Sequence, residues 1–254
     1  MKIVLTNDDG IESPGLAALY ESLSALGDVT AVAPAEDMSA TGRALSREVV
    51  VDEHEYGYAV HGTPSDCVIA ALESLVPDAD LVVSGCNRGG NLGMYVLGRS
   101  GTVSAAVESA FFGVPAISVS LALTSADFEG GATPKEEYAE AAAVTRYLVE
   151  HTLDAGVFER ADYLNVNAPR PGTEVDEIAV TTPTRGYDMS VERAGEHLRL
   201  HDEMWDRIDG GVVAGEPADS DLRAVVEGKT SVSPLTAPHT TEHHEVLDTL
   251  VADY

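Results

Sequence analysis

Two adjacent carboxylates near the start of the chain are the residues whose types and spacing most clearly suggest chemistry. Asp8 and Asp9 follow an apolar run at residues 3–5, and Gly10 comes directly after them. Neighbouring carboxylates repel each other unless a positive charge lies between them, and a hard divalent cation bound through oxygen supplies that charge. The other interpretation is a turn in which these side chains cap the backbone of the next helix. The pair therefore suggests a metal site without excluding a capped turn.

The residues around this pair predict a strand, a turn and a helix in succession. Consecutive apolar residues at 3–5 are typical of a strand that is buried on both faces of a parallel sheet. A helical spacing of leucines runs from Leu16 to Leu26. Asp8 and Asp9 would then lie at the carboxyl end of a strand, where open α/β sheets bind their ligands.

The same alternation of strands and helices continues to about residue 170. Short apolar runs predict further strands at residues 29–33, 81–83, 114–120 and 163–167. Two β-rich pieces lie between residues 49 and 60, and helical spacing separates most of the other runs. This order implies a doubly wound, Rossmann-like, mostly parallel α/β sheet. From about residue 175 the pattern becomes that of a β-hairpin, so we expect a C-terminal hairpin extension.

Polar residues follow two more of the predicted strands. The loop after residues 29–33 carries Ser39, and the ten residues after 81–83 contain four glycines and two asparagines, Asn87 and Asn91. Glycines allow the backbone to approach a ligand closely, so the second stretch favours a binding loop. A hydroxyl in the first loop would by itself be an ordinary surface group. The glycine-rich stretch matches neither the dinucleotide fingerprint nor a Walker phosphate loop.

A predicted helix start at residues 99–106 is a further candidate. Ser100 and Thr102 stand where an N-cap belongs, with Gly101 between them. Free backbone N–H groups and hydroxyls at a helix start can bind an anion. Ordinary capping, which needs only one of the two hydroxyls, is the alternative interpretation.

The charge of the chain is extreme. Asp and Glu total 43 against 15 Lys and Arg, which gives a formal net charge of −28. The acidic residues are spread along the chain rather than gathered in one tail. Such a surface repels nucleic acids and anionic membranes, so neither is an expected partner. It suits concentrated salt, where charges are screened over about 3 Å at molar ionic strength. The composition therefore predicts a halophilic source.

The remaining composition bears on the compartment. No apolar run is long enough to span a bilayer, and the two aspartates come too early for a signal peptide. We therefore expect a cytoplasmic protein. Cys67 and Cys86 have no C-x-x-C or histidine pairing, which disfavours a structural zinc site and favours buried thiols.

Taken together, these stretches resemble the SurE family of survival proteins, which are divalent-metal-dependent 5′-nucleotidases. The resemblance begins with Thr-Asn-Asp-Asp-Gly-Ile at residues 6–11. Further matching motifs lie at residues 14–15, 32–34, 62–68, 83–93, 100–106 and 231–235. The resemblance implies one SurE-like α/β domain over residues 1–254, with a Rossmann-like core at 1–170 and a hairpin and oligomerisation region at 171–254. With the acidic composition, it points to a halophilic archaeon.

The resemblance also implies the site residues. The family binds its metal through two adjacent aspartates, a serine after the second strand and an asparagine after a Ser-Gly strand end. The matching positions here are Asp8, Asp9, Ser39 and Asn87. This oxygen-only set suits one Mg²⁺ or Mn²⁺ per subunit, and Asp8 or Asp9 would accept the proton of a metal-activated water. The residues expected to hold phosphate oxygens are Asn91, Ser100, Gly101 and Thr102.

The chain departs from the family pattern at two positions. The usual Ser-Gly pair of the serine loop is Ser39-Ala40 here, with Gly42 displaced, and the aromatic residue common before Ser-Gly-Thr is Arg99. The first departure makes Ser39 the least secure of the four metal ligands. The second would alter contacts near the phosphate.

The activity implied is hydrolysis of nucleoside 5′-monophosphates to nucleoside and phosphate by a homodimer or homotetramer with exchanged C-terminal elements. Tyr95 is the only aromatic residue close in sequence to the site loops, so we expect phosphate, not the base, to dominate recognition. An aspartyl-phosphate route is disfavoured because an aspartate bound to metal is a poor nucleophile. A nucleotide-binding regulator without turnover stays open. The missing glycine fingerprint disfavours a dinucleotide-dependent oxidoreductase.

Overall fold

The structure is a computed structural model that describes residues 1–171 and 177–237. The strands in these ranges are β1 (Lys2–Thr6), β2 (Asp28–Pro34), β3 (Val51–His54), β4 (Gly57–Val60), β5 (Leu81–Arg88), β6 (Ala116–Leu121), β7 (Tyr163–Ala168), β8 (Ile178–Val180), β9 (Met189–Ala194), β10 (His197–Asp202) and β11 (Thr230–Leu235). The α-helices are α1 (Pro14–Leu23), α2 (Pro64–Ala70), α3 (Met94–Leu97), α4 (Gly101–Phe111), α5 (Ser125–Glu129), α6 (Ala139–Thr152), α7 (Met204–Asp209) and α8 (Asp221–Val226). A π-helical turn, Ala71–Leu75, continues α2, and 3₁₀ turns lie at Lys135–Tyr138 and Val157–Glu159.

Most of these strands form one mixed sheet. Within the described residues its order is β3-β4-β2-β1-β5-β6-β7-β11-β8. The strands from β4 to β7 run parallel to one another, whereas β3 and β11 run antiparallel to β4 and β7. β9 and β10 form a separate antiparallel hairpin. The predicted mostly parallel α/β fold with a C-terminal hairpin is confirmed.

Helices cover both faces of the sheet, as a doubly wound arrangement requires. α1 and α6 pack on one face, where Leu19 and Leu148 belong to one buried apolar cluster. α2 and α4 pack on the other, where Val68 and Val103 belong to a second cluster. β1 lies between these layers, which explains why its apolar residues are consecutive rather than alternating.

The order of the strands places a crevice beside β1. The chain passes from β1 to β2 and β4 on one side and then returns to β5 on the other side of β1. The carboxyl ends of β1 and β5 therefore flank a topological switch point, where open α/β sheets bind ligands. Thr6 pairs with Ser84, so the residues that follow Thr6 meet those that follow Ser84.

Two segments differ from the sequence expectations. β5 continues to Arg88, so half of the stretch expected to be a loop is strand, with a register shift between Ser84 and Asn87. Small and polar residues have weak strand propensity, and pairing with β6 overrides that preference. The mostly polar residues of the stretch 121–134 are typical of a loop, yet this stretch contains α5.

The C-terminal part of the chain contributes to the main sheet as well as to the hairpin. β11 lies between β7 and β8, so the two strands β11 and β8 extend the main sheet beyond β7. The expected boundary near residue 170 stays a prediction, and residues 172–176 and 238–254 of the C-terminal region lie outside the described residues.

Two further expectations concern burial and membranes. Cys67 and Cys86 are both buried and free, as expected. Among the helices of residues 1–171 and 177–237, none is both long and apolar enough to cross a bilayer.

Candidate active site

The turn after β1 is fixed by hydrogen bonds to its own backbone and to the loop after β2. The Asn7 amide nitrogen donates to the Gly10 carbonyl at 2.8 Å and to the Ser13 hydroxyl at 2.7 Å. The Met38 N–H donates to the Asp8 carbonyl at 2.7 Å. Gly10 has a φ of 94°, which side-chain-bearing residues rarely adopt. The turn therefore presents its two carboxylates in fixed directions.

Asp8 is only 3% exposed and contacts the amino end of α4. The Thr102 hydroxyl donates to Asp8 Oδ1, and a β-carbon at Gly101 would lie 2.7 Å from Asp8 Cβ. Burial raises the pKa of Asp8, and the hydrogen bonds from Thr102 oppose that rise. Ser100 caps the helix, since its hydroxyl accepts the Val103 N–H at 3.1 Å. The predicted capping and an orienting contact to Asp8 thus coexist.

Asp9 is held from the other side of the crevice by β5. Its Oδ2 accepts the Arg88 N–H at 2.9 Å. Burial raises the pKa of Asp9 to about 7, repulsion from Asp8 adds to the rise, and the Arg88 N–H opposes it. Two carboxylates with raised pKa values next to each other are in the electrostatic situation that a bound cation relieves.

Asn87 and Ser39 supply the other two predicted ligand positions. The Asn87 amide nitrogen donates to the Gly89 carbonyl at 2.6 Å, which leaves the amide oxygen to accept a ligand. The Ser39 N–H donates to Asp37 Oδ1 at 2.8 Å. Asp8, Ser39 and Asn87 line the same cavity.

The departure at Ala40 has a conformational consequence. Ala40 has a φ of 59°, in the left-handed region. A β-carbon in this region costs about 1–2 kcal/mol, which glycine avoids. A glycine would therefore suit the backbone at this position, and this chain adopts the left-handed conformation with alanine.

The donor set fits a hard divalent cation. Within the described residues, the side-chain hydrogen bonds engage Oδ1 of Asp8 and Oδ2 of Asp9, and the second oxygen of each carboxylate can face an ion. Carboxylate, amide and hydroxyl oxygens are the ligands that Mg²⁺ and Mn²⁺ prefer. Burial raises the pKa of the Cys86 thiol well above its ordinary value, which disfavours a thiolate ligand beside Asn87.

The cavity next to these oxygens has a volume of about 350 Å³. Ligand sites for small molecules span roughly 300–1,000 Å³. Its polar lining includes Asp8, Ser39, Asn87, Asn91, Arg99, Ser100 and Asp202. Its apolar lining includes Leu92, Tyr95, Phe128, Met204, Trp205 and Ile208. Asp9 lines a second cavity of about 400 Å³, and Arg88 belongs to the walls of both.

The residues predicted to hold phosphate fall into two groups. Asn91 and Ser100 line the cavity, and the Asn91 amide nitrogen donates to the Ser120 hydroxyl at 2.9 Å. Gly101 and Thr102 are buried against Asp8, so their nearest role is to position that carboxylate. Binding of phosphate by all four stays a prediction.

Sequence reasoning missed several cavity residues. Arg88 follows Asn87 directly, so its position in the glycine-rich stretch was a usable signal for its contact with Asp9. Phe128 and Trp205 lie far along the chain and carry no local motif. Tyr95 is the aromatic residue nearest in sequence to the site loops. The fold brings the rings of Phe128 and Trp205 into the same cavity as Tyr95.

Comparisons with known proteins cover nearly the whole chain. The family described as Survival protein SurE matches residues 3–189. A 5′-nucleotidase SurE from Haloarcula marismortui is 58% identical over 258 residues, covering 99% of this chain and 94% of that protein. A 5′-nucleotidase SurE from Halobacterium salinarum is 53% identical over 254 residues, covering 100% of this chain and 98% of that protein. Both relatives come from halophilic archaea, in agreement with the acidic composition.

A solved structure gives the same result for the fold. The crystal structure of a SurE protein from Aquifex aeolicus matches with a TM-score of 0.81 at 30% sequence identity. The match covers 99% of this chain and 99% of that chain. The sheet, its helices and the C-terminal strands are therefore all included in the similarity.

Proposed function

The chain belongs to the SurE family, and from that premise we propose that it is a divalent-metal-dependent 5′-nucleotidase. It would hydrolyse nucleoside 5′-monophosphates to nucleoside and phosphate. The observation that carries the proposal is the crevice between β1 and β5, where the buried Asp8 and the half-buried Asp9 are adjacent and both raised in pKa. The relatives named 5′-nucleotidase SurE support the substrate class.

Asp8, Asp9, Ser39 and Asn87 would hold one Mg²⁺ or Mn²⁺ per subunit. Such an ion lowers the pKa of a coordinated water and offsets negative charge on the phosphoryl group. Thr102 keeps Asp8 in position, and the Arg88 N–H does the same for Asp9. Asp8 or Asp9 accepts the proton of the attacking water.

The amino end of α4 would bind the phosphate. Its first N–H groups carry a partial positive charge, and Ser100 places a hydroxyl in the cavity wall. Asn91 contributes an amide from the opposite loop, while Gly101 allows the helix start to approach Asp8 closely. Arg99 is a cationic residue of the cavity lining at the position where the family commonly has an aromatic residue.

A phosphate-release panel tests this proposal. Nucleoside 5′-monophosphates are incubated in molar KCl with Mg²⁺, with Mn²⁺, or with a chelator. We expect release only with metal, and Asp9→Asn should lower kcat/KM at least about 100-fold because it removes a charged ligand. Glu55→Gln, an exposed carboxylate on the β3–β4 turn, is the matched control and should keep wild-type turnover.

The same panel separates the alternative function. A nucleotide-binding regulator would bind a nucleoside monophosphate in a metal-dependent way yet release no phosphate. Phosphate release that is equally fast with a chelator would contradict the metal-dependent mechanism. Wild-type turnover in Asp9→Asn would show that the proposed carboxylate pair is not the catalytic site.

We also propose that the chain assembles into a homodimer or homotetramer through the β9–β10 hairpin. Val191 and Leu200 are paired across the two strands, and Leu198 lies two residues along the same strand. These side chains are 58%, 69% and 61% exposed, respectively. Apolar residues grouped on one face of an exposed hairpin are typical of a protein contact. The charge of −28 disfavours nucleic acid and anionic membranes as partners.

A further inference from the structure

The cavity has an aromatic lining for which the proposed hydrolysis gives no role. We use this term for Phe128 and Trp205, whose ring centroids are 5.5 Å apart and whose planes are nearly perpendicular, at 88°. Both line the cavity that Asp8 and Asn87 also line. The residues proposed to contact the phosphoryl group are polar, so these two rings must serve another part of the ligand or the packing of the protein.

Phe128 is fixed against the end of β5. A β-carbon at Gly89 would lie 2.8 Å from Phe128 Cζ, so the ring packs directly on the backbone beside Asn87. The Arg88 guanidinium lies 4.6 Å from the ring centroid and donates to the Thr133 hydroxyl at 2.9 Å. The ring is therefore held by the same strand that carries a proposed metal ligand.

Trp205 is held by α7. Its neighbour Met204 is buried in a small apolar cluster with Leu92 and Leu222. The Ser125 N–H donates to Asp209 Oδ1 at 2.9 Å, which ties α5 to the end of α7. These contacts place Trp205 opposite Phe128 without burying its indole completely.

Trp205 is only partly buried, so its indole is accessible to a ligand in the cavity. It is the only tryptophan of the chain, and it lines an open cavity instead of filling one of the two large apolar clusters. An aromatic face beside a phosphate-binding region matches what a nucleotide presents, which is an anion at one end and a flat π system at the other.

We propose that Phe128 and Trp205 form the nucleobase subsite of this cavity. The proposal rests on the function proposed above and deepens it, because such a subsite would make nucleotides better substrates than other phosphomonoesters. Stacking on an aromatic side chain is tolerant of base identity, since every base has a π face. The subsite therefore favours nucleoside monophosphates over sugar phosphates without selecting strongly among bases. This revises the expectation that phosphate alone dominates recognition.

The test compares a substrate with a base and a substrate without one. kcat/KM is measured for AMP and for ribose 5-phosphate, with one metal in molar KCl. We expect the wild-type enzyme to favour AMP by at least about tenfold, a ratio that stacking of one base can supply. Trp205→Ala should lower this AMP-to-ribose-5-phosphate ratio about tenfold, mainly through KM for AMP, and Trp205→Phe should restore most of it.

Tyr147→Ala provides the matched control. Tyr147 is 52% exposed on α6 and stacks on His151, away from the cavity lining. This variant should keep the wild-type ratio. A purely structural role for Trp205 would lower the rates for both substrates together and leave their ratio unchanged, which would overturn the subsite.

A binding measurement is independent of turnover. Because Trp205 is the only tryptophan, its fluorescence reports directly on the proposed subsite. Adenosine should quench it in a saturable way, whereas ribose should not, and a lack of quenching by adenosine would overturn the subsite. If neither AMP nor ribose 5-phosphate releases phosphate with any metal, the proposed hydrolysis is wrong, and the adenosine titration still decides whether the base-binding site exists.

Discussion

At the residue scale, three of the four proposed metal ligands have one side-chain polar atom fixed by the protein and another that can face a ligand. Asp8 is fixed by Thr102, Asp9 by the Arg88 N–H, and Asn87 by the Gly89 carbonyl. Such second contacts orient ligands before a metal arrives. The four ligand positions could be proposed from the sequence because they follow strand ends and match the motifs of the family. The contact between α4 and Asp8 depends on helix packing that no local pattern encodes.

The first prediction compares the two neutral ligands. Asn87→Ala should weaken Mn²⁺ affinity at least about tenfold, because the methyl group cannot replace an amide oxygen. Ser39→Ala should cost less, because Ser39 is exposed and water can take the place of its hydroxyl. Calorimetric titration of Mn²⁺ into each variant measures both effects. Unchanged affinity in Asn87→Ala would remove this residue from the proposed ligand set.

The second prediction follows from the raised pKa of Asp9, which is about 7 without a cation against an ordinary value of 3.8. The folded state keeps a proton that the unfolded state releases, so this group's contribution to the stability of the metal-free protein declines as pH rises from about 4 to about 7. A cation must displace that proton, so Mn²⁺ affinity should be about tenfold weaker near pH 6 than near pH 8.

Titrations in buffers of different ionisation enthalpy should show proton release on Mn²⁺ binding near pH 6. The pKa of Asp8 is raised by burial in the same direction, so both carboxylates contribute to this dependence. Equal affinity at the two pH values would contradict the raised pKa.

At the element scale, one buried carboxylate connects the glycine-rich stretch to the C-terminal part of the chain. Asp221, the first residue of α8, accepts N–H groups from Gly93 and Thr184 at 2.8 Å each and from Leu222 at 2.7 Å. The Asp-Ser-Asp sequence at residues 219–221 predicts a cap for this helix, and Ser220 provides it. It does not predict the contact from Asp221 to Gly93, because the two residues are distant in sequence and carry no shared motif.

The third prediction concerns this contact. Asp221→Ala should destabilise the fold by several kcal/mol, because each buried N–H left without an acceptor costs about 1–3 kcal/mol. Asp219→Ala, two residues earlier and exposed, should change the free energy of unfolding by less than about 0.5 kcal/mol. Urea denaturation in molar KCl measures both variants. Similar midpoints for the two variants would show that Asp221 does not stabilise the described fold.

At the scale of the whole molecule, the negative charge exceeds what the available cations can offset. The three lysines already pair with acidic residues, in Lys2–Asp78, Lys135–Glu21 and Lys229–Glu177. The remaining acidic residues repel one another at low ionic strength. The sequence is sufficient to predict this property, because it depends on composition and not on which residues meet.

The fourth prediction is that stability and assembly require concentrated salt. Screening at molar ionic strength reduces the range of repulsion to about 3 Å, so the midpoint of thermal unfolding should rise strongly with KCl. Light scattering should show a dimer or tetramer in molar KCl and smaller species at low salt. Sucrose at matched osmotic strength is the control, because it does not screen charge. A midpoint that ignores KCl would contradict the importance of repulsion.

The order of strands is the feature that sequence patterns could not supply. Each of β1, β2, β5, β6 and β7 could be located from its apolar run, but nothing local indicates that β11 enters between β7 and β8. Strand pairing of this kind is decided by contacts between distant residues. The aromatic lining escaped sequence reasoning for the same reason.

The position of β11 has a consequence for the timing of synthesis on the ribosome. β7 exposes an unpaired edge, and β8 lacks its neighbour in the sheet, until residues 230–235 have been translated. β7 also carries Asn165 and Asn167, whose amides hold the Asn91 carbonyl beside the cavity. A chain without β11 therefore carries the cavity on an incomplete sheet. The unpaired edge of β7 in such a chain can pair with other nascent chains. The sheet beneath the cavity is therefore complete only after residues 230–235 have been translated.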